Sequence, residues 1–447
     1  MPDRAAIYRA FDTDQPLAAE DPRYVDLTAV QGGVNISRKL AQRIKNAGDK
    51  PSHHLLMGHT KCGKTTLLNR TAFLLQQDGY ATVFFDVAEL ASRTFEYTTV
   101  LLLLAEQVVR QLADSYDILI GDADGPRLLD FLLDKEITTG RKLSAEAGAK
   151  ADVKVGWFAR WLADAGIGVD VRGGFERSRD ITVKVERDAR GFLGAVNALI
   201  QDACQKTTEA GCTGLVIICD GCDKLNISAS DRQGQSYDLQ RALFYDHAPD
   251  LRSVPCHVIY TVPVSIPINV ADIWESPEFV PAIPVIELPG MPVAYFAEGR
   301  RLLGEVVSRR LREEGCGVAD LFPDAEATLQ TLIAISGGHI SDLLVLVQEA
   351  VLEAQTEGSP RLTGSHVNRS IAKRAQEYTR LIEGKYLPLL VEIYQKKLAP
   401  SNGDEYRELI FKRLALEYVF ELGTRVDLHS LVAASGAFEP FRKATVP

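Results

Sequence analysis

The sequence has no apolar run long enough to cross a membrane. The longest uninterrupted run in its helical regions, Val100 to Ala105, falls far short of the ~20 residues a spanning helix needs. Met1-Pro-Asp-Arg is followed by no long apolar core and no small-residue cleavage site, so no secretory signal is expected and the expected location is cytoplasmic, with no membrane partner. Cysteine is sparse: seven in 447 residues, an odd number and mostly in apolar surroundings, which fits a reducing compartment and argues against a disulfide framework. One pair, Cys219-Asp-Gly-Cys222, has C-x-x-C spacing, but no second pair and no histidine cluster accompanies it, so a zinc site lacks half its ligands. An excess of positive charge is also missing. The net charge of −10 argues against whole-surface nucleic-acid binding and leaves room only for a local basic patch. Nuclease, protease and deaminase motifs are absent, so any such chemistry would have to reside in another protein.

What is present belongs to an ordinary globular chain, 46% apolar and 25% charged, long enough for two to four domains. The segment "SHHLLMGHTKCGKTTLLNRTAFLL" matches G-x-x-x-x-G-K-[ST] at Gly58, Gly63, Lys64 and Thr65. A short apolar run from His54 to Met57 feeds the loop as a strand. Leu67, Leu68 and Phe73 to Leu75 then space as one face of a helix. In that setting the glycines let the backbone N–H groups of His59, Thr60, Lys61, Cys62, Gly63, Lys64, Thr65 and Thr66 curl around phosphates, at the positive end of the new helix. Lys64 is expected to reach the β- and γ-phosphates of ATP, and the Thr65 hydroxyl to ligate Mg²⁺. Cys62 reads as an accidental oxidation site rather than a catalyst.

Downstream, "LVIICDGCDKL" reads as a buried strand, Leu215 to Cys219, ending in Asp220. Asp220 is the expected magnesium-side carboxylate, and Asp223 the candidate base that polarises the attacking water. Cys219 then faces the core as a small hydrophobe. "ATVFFDVAEL" supplies another strand, followed by a helix from Thr98 to Asp114. Further strands are expected at His257 to Val262, with Thr261 as a polar sensor of the γ-phosphate, and at Val285 to Leu288. Strands alternating with helices predict an α/β fold, a parallel sheet covered on both faces with the ligand at the carboxyl ends of the strands.

The stretch between Lys64 and Asp220 is longer than one βα step needs. Within it, Ala151, Val153 and Val155 alternate with Lys150, Asp152 and Lys154; later Ile167, Val169 and Val171 alternate with Asp170 and Arg172. Trp157, Phe158, Trp161 and Leu162 fall on one side of a short helix between them. The expectation is a β-hairpin-like insertion, about 140–185, whose aromatics either pack on the core or form a partner or self-assembly surface. After Pro292 helices take over: Ala294 to Arg312, rich in arginine (Arg300, Arg301, Arg309, Arg310, Arg312), then Ala325 to Ile335 and Ile340 to Ala354, broken at Gly337-Gly338. Tyr386 to Lys397 and Glu405 to Leu414, followed by "ALEYVF" and "RVDLHSL" turned at Gly423, predict a C-terminal winged helix. Its basic residues Lys396, Lys397, Arg407, Lys412, Arg413 and Arg425 are candidate contacts to DNA, though a solvated face is favoured over DNA binding. The domain division expected is an N-terminal segment 1–50, a P-loop core 51–290, a helical lid 291–380 and a winged-helix domain 381–447.

With these motifs in place, the chain resembles the bacterial P-loop ATPases of the AAA+/STAND group, a winged-helix-containing relative of replication-initiator ATPases. The likeness rests on "DPRYVDLTAVQGG", "GHTKCGKTT", "IICDGCDKL", "SGGHISDLLVL" and the closing "LALEYV…VDLHSL". The resemblance implies a P-loop NTPase sheet of the ASCE type, a helical lid, a winged-helix module and nucleotide-controlled assembly. The expected switch binds ATP and Mg²⁺, and its state sets homo-oligomerisation or engagement with a separately encoded effector. Many members of the group look like parts of bacterial anti-phage systems. Two departures favour slow hydrolysis, or a nucleotide held as a switch, over a fast motor. Gly221 occupies the place of a strand-end glutamate, and Ser341 the place of a lid arginine that would touch the γ-phosphate. His339 is the candidate substitute for that arginine, with a helix-capping or surface role as the favoured alternative. The resemblance also implies that His429 aims at the β-phosphate. A DNA-associated loader, and a nucleotide-holding scaffold without turnover, are the alternative readings.

Overall fold

Five parallel strands carry the fold in a computed structural model that describes residues 3–90, 96–120, 188–225, 228–230, 236–266, 270–322, 324–359, 361–400, 403–420 and 423–444. They are β1 (His53–Gly58), β2 (Ala81–Asp86), β3 (Leu215–Asp220), β4 (His257–Pro263) and β5 (Glu278–Val280). Their order is β2-β3-β4-β1-β5. The chain has an α/β fold, a parallel sheet with helices on both faces. The three inner strands are made largely of apolar residues because both faces are covered: β3 and β4 are buried throughout. Alternate residues face opposite ways. Ile217 and Cys219 join Phe85 and Val258 under α4 (Tyr97–Tyr116) and α5 (Ala189–Glu209). Val216 and Ile218 join Leu56 and Ile259 under α2 (Ile36–Ala47) and α3 (Lys64–Gln77). Register places Asp86 beside Asp220, and Leu56 beside Thr261. The carboxylates of Asp86 and Asp220 therefore emerge side by side at the carboxyl ends of their strands.

The edge strand differs from the expectation. Val285 to Leu288 is not a strand; the fifth strand is Glu278–Val280, paired with β1 from Leu56 to Gly58. Pro281, Pro284 and Pro289 lack the N–H groups a ladder needs. The chain there instead bonds elsewhere: Ile283 N–H donates to Gly338 O at 3.1 Å. Thr261 is also not at a strand end. The strand continues to Pro263, and the Thr261 hydroxyl is buried without a hydrogen-bond partner among the described residues. The insertion expected at about 140–185, with Trp157 and Trp161, lies outside the described residues.

Beyond the sheet a helical lid follows: α6 (Val293–Glu313), α7 (Ala325–Ile335), α8 (Ile340–Thr356) and α9 (Gly364–Thr379). The first helix of the chain, α1 (Arg4–Ala10), shares their core through Ile7 and Phe11. The break before α8 is enforced by contact. Gly338 has φ +79°, and a Cβ there would lie 1.7 Å from Ile283 O, so only glycine fits. The C-terminal part holds α10 (Leu387–Lys396), α11 (Gly403–Phe411) and an antiparallel hairpin, β6 (Ala415–Phe420) with β7 (Gly423–Leu428). Gly423, where the sequence predicts the turn, opens β7 and pairs with Phe420; the two residues between them lie outside the described residues.

At the other end of the sheet, histidines are buried uncharged. His54 Nε2 bonds Ser52 Oγ at 3.0 Å, and Ser52 Oγ bonds His257 Nδ1 at 2.8 Å. His53 Nε2 bonds Val254 O at 2.9 Å. Burial pushes His53 and His54 each down to about 4. In the unfolded chain the same rings take up protons near pH ~6.5. Stability present above that value is therefore lost as pH falls through about 4. The urea midpoint should drop across this window, and His54→Gln, which does not titrate, should flatten the drop. Parallel profiles for the two proteins would show that His54 is not the group responsible.

Candidate functional site

The loop after β1 is shaped by close approach. A Cβ on Gly58 would meet Cys62 Sγ at 2.9 Å and Val280 O at 3.0 Å. Lys61 and Gly63 take positive φ, +63° and +98°, which turns the chain into α3. The first N–H groups of α3 have no carbonyl partners inside the helix, so the loop presents donors and a helix N-terminus together. Lys64 lies beneath this loop, almost wholly buried. Its ammonium donates to Gly58 O (2.9 Å) and His59 O (2.6 Å), and pairs with Asp223 Oδ2 at 2.9 Å. Burial opposes the charge, but Asp223 outweighs it, helped by Cys62 and Asp220, so the lysine pKa stands above its ordinary value.

Thr65 donates to Asp220 Oδ2 at 2.6 Å, and Gly221 N–H donates to Asp220 Oδ1 at 2.8 Å. Burial, then the Asp223 charge, pushes the Asp220 carboxyl up. Asp223 Oδ1 is buried with no hydrogen-bond partner among the described residues. These atoms bring Lys64, Thr65, Asp220 and Asp223 into one cluster, although the two halves are far apart in sequence. The structure also supplies a reason for Gly221. It has φ +80°, and a Cβ there would lie 1.9 Å from Asp86 Oδ1, so a glutamate at 221 would collide with the carboxylate at the end of β2. Asp86 is held there by Lys224 and by Ala88 N–H at 2.8 Å. Sequence reading missed Asp86, though "FFD" at a strand end beside β3 was the available signal.

The cluster opens into a cavity of about 660 Å³, within the ~300–1,000 Å³ usual for small-molecule sites. Lys61 to Thr66, Asp220 and Asp223 line it, as do Ser341 and Ile340 from the lid. An N-terminal strap closes one side: Asp14 pairs with Lys61 at 2.8 Å, and Leu17 N–H bonds Thr66 Oγ1 at 3.3 Å. Cys62 is buried and burial raises its thiol, which corrects the expectation of an oxidation-prone position.

Gly58, His59, Thr60 and His339 stand behind the cavity lining. His59 Nε2 accepts from Glu417 N–H of β6 at 3.1 Å. Thr60 O faces His339 Nε2 at 3.0 Å. His339 Nδ1 lies 2.7 Å from Asp342 Oδ2, and His429 Nε2 lies 3.0 Å from the same oxygen. His429 thus meets the lid and does not line the cavity. Asp342 is buried, bonded also by Arg374 (2.9 and 2.5 Å) and the Tyr378 hydroxyl (2.8 Å). Burial opposes its charge, but His339 and Arg413 hold the carboxyl well below the usual range. His339, Asp342 and His429 are close enough to share a metal ion. Arg374 on Asp342 and Arg413 at 3.7 Å already neutralise that carboxylate and argue against a further cation.

Cys219 and Cys222 are buried, with sulfurs 3.7 Å apart, and no histidine or carboxylate joins them in a ligand cluster among the described residues. The candidate DNA contacts are engaged internally: Lys396 with Glu392, Lys397 with Asp427, Arg407 with Asp238, Lys412 with Glu383, and Arg413 with Asp342. Arg425 donates to Pro289 O at 3.0 Å.

The buried Lys64–Asp223 pair has a measurable signature. Measured without nucleotide, Lys64→Met or Asp223→Leu alone should each cost about 3–5 kcal/mol, because each strands the other charge. The double variant should be destabilised by less than the sum of the two. Additive losses in urea unfolding would show that the pair is not coupled.

No protein-family model matches the chain, and no curated protein matches it. Several solved structures are similar in fold. The Walker-type ATPase of Pyrococcus abyssi is 13% identical with a TM-score of 0.41, and the match covers 95% of this chain and 99% of that one. The ORC2 protein of Aeropyrum pernix is 13% identical with a TM-score of 0.43, covering 97% and 96%. The RuvB Holliday junction branch migration motor of Thermotoga maritima is 11% identical with a TM-score of 0.38, covering 95% and 99%.

Proposed function

We propose that the protein is an ATP-binding P-loop ATPase that hydrolyses slowly and acts as a nucleotide-controlled switch. One observation carries this reading: Lys64, Thr65, Asp220 and Asp223 converge at the N-terminus of α3, on the floor of a cavity of nucleotide size. An ammonium, helix-end donors and buried carboxylates are what binding and cleaving a polyphosphate need. The Thr65 hydroxyl, Asp220 and the unpartnered Asp223 Oδ1 form a hard oxygen donor set that fits Mg²⁺. Thr65 and Asp220 would hold the ion, which would supply positive charge against the phosphate oxygens. Asp223 is the proposed base, and His59 to Thr66 the proposed phosphate cradle. Slow turnover is supported by Gly221 at the strand end, by Ser341 rather than arginine at the lid, and by the pairing of Asp223 with Lys64.

The switch reading is supported by the two bonds that leave the loop. His59 ties it to the hairpin strand β6. Thr60 ties it through His339 and Asp342 to His429. A shift of the loop around a phosphate would therefore be felt in the lid and in the C-terminal unit, which we propose is a winged helix. Nucleotide state would then set homo-oligomerisation or engagement of a separately encoded effector. The resemblance in sequence is the sole support for a place in anti-phage defence. DNA loading is disfavoured because the candidate phosphate contacts are held in internal pairs.

Binding of Mg²⁺-ATP should stabilise the protein by about 2.7 kcal/mol at a hundredfold excess over its dissociation constant. Lys64→Ala should abolish most of the thermal shift. Asp223→Asn should keep a shift while phosphate release falls ~100-fold. A wild type that shifts fully but releases no phosphate would leave a nucleotide-holding scaffold. For the switch, Asp342→Asn should still bind ATP, yet hydrogen exchange in the 415–428 hairpin should no longer respond to it. An unchanged response would disprove this route of coupling.

A further inference from the structure

The cations that line the cavity are mostly matched to carboxylates. Lys61 sits on Asp14, Lys64 on Asp223 and Lys224 on Asp86. Arg23 grips Asp21 with two bonds, at 2.9 and 2.6 Å. Arg110 has no carboxylate partner among the described residues, but it is exposed and donates to Gln107 Oε1 at 2.6 Å. Arg310 is different. It lies in the last turn of α6, is only 7% exposed, and lines the same cavity. Its hydrogen bond goes to Val306 O of its own helix at 3.2 Å, and no carboxylate lies within ion-pair distance among the described residues. The negative end of α6 and the nearby charge of Asp21 compensate it only in part. Burial, reinforced by the Arg23 charge, pulls its pKa down to about 10. A guanidinium has five N–H donors in a fixed fork, and its one bond, to its own helix, leaves the others without a hydrogen-bond partner among the described residues.

Its position says which part of a ligand it meets. The charges acting on Arg310 are Arg23 and Asp21, next to Tyr24 and Val25 of the N-terminal segment. The adjoining Arg309 donates to Tyr24 O, and the Tyr24 ring packs against Arg70, in the second turn of α3. Arg310 thus lines the cavity beside the N-terminal segment, whereas Lys64 lies at the N-terminus of α3. The cavity has an apolar slot as well, with Val306 on the same helix as Arg310, Ile340 and Leu344 on α8, and Val25 of the N-terminal segment in its lining. Ile340 reaches to 4.0 Å of the Cβ position on Gly63, so this slot adjoins the phosphate loop directly. An apolar slot joined to a phosphate cradle suits a nucleoside.

We propose that Arg310 is a specificity-determining residue that donates hydrogen bonds to a neutral acceptor on the nucleoside end of the nucleotide, a purine ring nitrogen or a ribose hydroxyl. The proposal rests on the ATP-binding reading above and goes further in assigning the nucleoside end. It explains why a nearly buried guanidinium is kept without an anion: the ligand's acceptor completes its hydrogen bonding.

The test is calorimetric titration of the whole chain with Mg²⁺-ATP and Mg²⁺-tripolyphosphate, using wild type, Arg310→Met and Lys64→Ala. Arg310→Met keeps the packing stem and should weaken ATP about tenfold or more, with tripolyphosphate unchanged. Lys64→Ala should weaken both. Analogues that each lack one acceptor (1-, 3- and 7-deaza-ATP, 2′- and 3′-deoxy-ATP) identify the source. One of them should bind wild type as poorly as ATP binds Arg310→Met, and lose nothing further in that variant. Equal losses of ATP and tripolyphosphate in Arg310→Met would make Arg310 a phosphate contact and overturn the proposal. So would unchanged ATP affinity in a folded Arg310→Met, or wild-type affinity for every analogue. If Arg310→Met does not fold, Arg310→Gln replaces it with the same readout. A wild type that binds neither ATP nor tripolyphosphate would sink the nucleotide reading itself, which is a distinct failure.

Discussion

A buried ammonium governs the arrangement of this molecule. Lys64 cannot be charged beneath the loop unless anions and dipoles surround it, because an unpaired charge in a protein interior is severely penalised. Its partners come from three places: carbonyls of Gly58 and His59 at the end of β1, the Asp223 carboxylate beyond β3, and the field of Asp220. Those groups can meet only if β1 and β3 run parallel with β4 between them, which is the strand order found. Gly63 then has to turn with positive φ, and Gly221 has to leave room for Asp86. The chemistry of the site and the topology of the sheet are one constraint.

The same economy of buried charge extends away from the site. Asp342 at the start of α8 is surrounded by His339, His429, Arg374, Tyr378 and Arg413, drawn from the lid and from the C-terminal unit. Low local dielectric makes such a network strong when complete and costly when broken. Because His339 also faces Thr60 of the phosphate loop, the network touches the candidate ATP site without entering it. His339 caps α8 by accepting from Asp342 N–H and also meets Thr60 O, while His429 meets Asp342 from the C-terminal unit.

The phosphate loop, the Asp220 strand end, the lid helices with their break at Gly337-Gly338, and the hairpin whose second strand opens at Gly423 were all legible in the sequence. Each is encoded locally, by glycine spacing, by a β-branched run, or by apolar periodicity. The edge strand was not legible. Val285 to Leu288 has the apolar character of a strand, yet prolines on either side deny it a ladder, and three residues from Glu278 pair with β1 instead. Strand pairing is a contest between segments, and local composition does not decide it.

Roles that depend on partners were equally hidden. Nothing in "CDGCDK" says that Asp223 pairs with Lys64, or that Asp86 stands where a side chain on Gly221 would go. Arg310 is one arginine among several on α6 until the fold buries it against the cavity without a carboxylate. His429 carries a motif position but points at Asp342. The sequence by itself determined which elements form and where donors, hydroxyls and carboxylates lie along the chain, because those follow from short-range sterics and periodicity. Only the tertiary structure decided which charges share a dielectric boundary, because pairing and desolvation depend on distances between residues far apart in sequence.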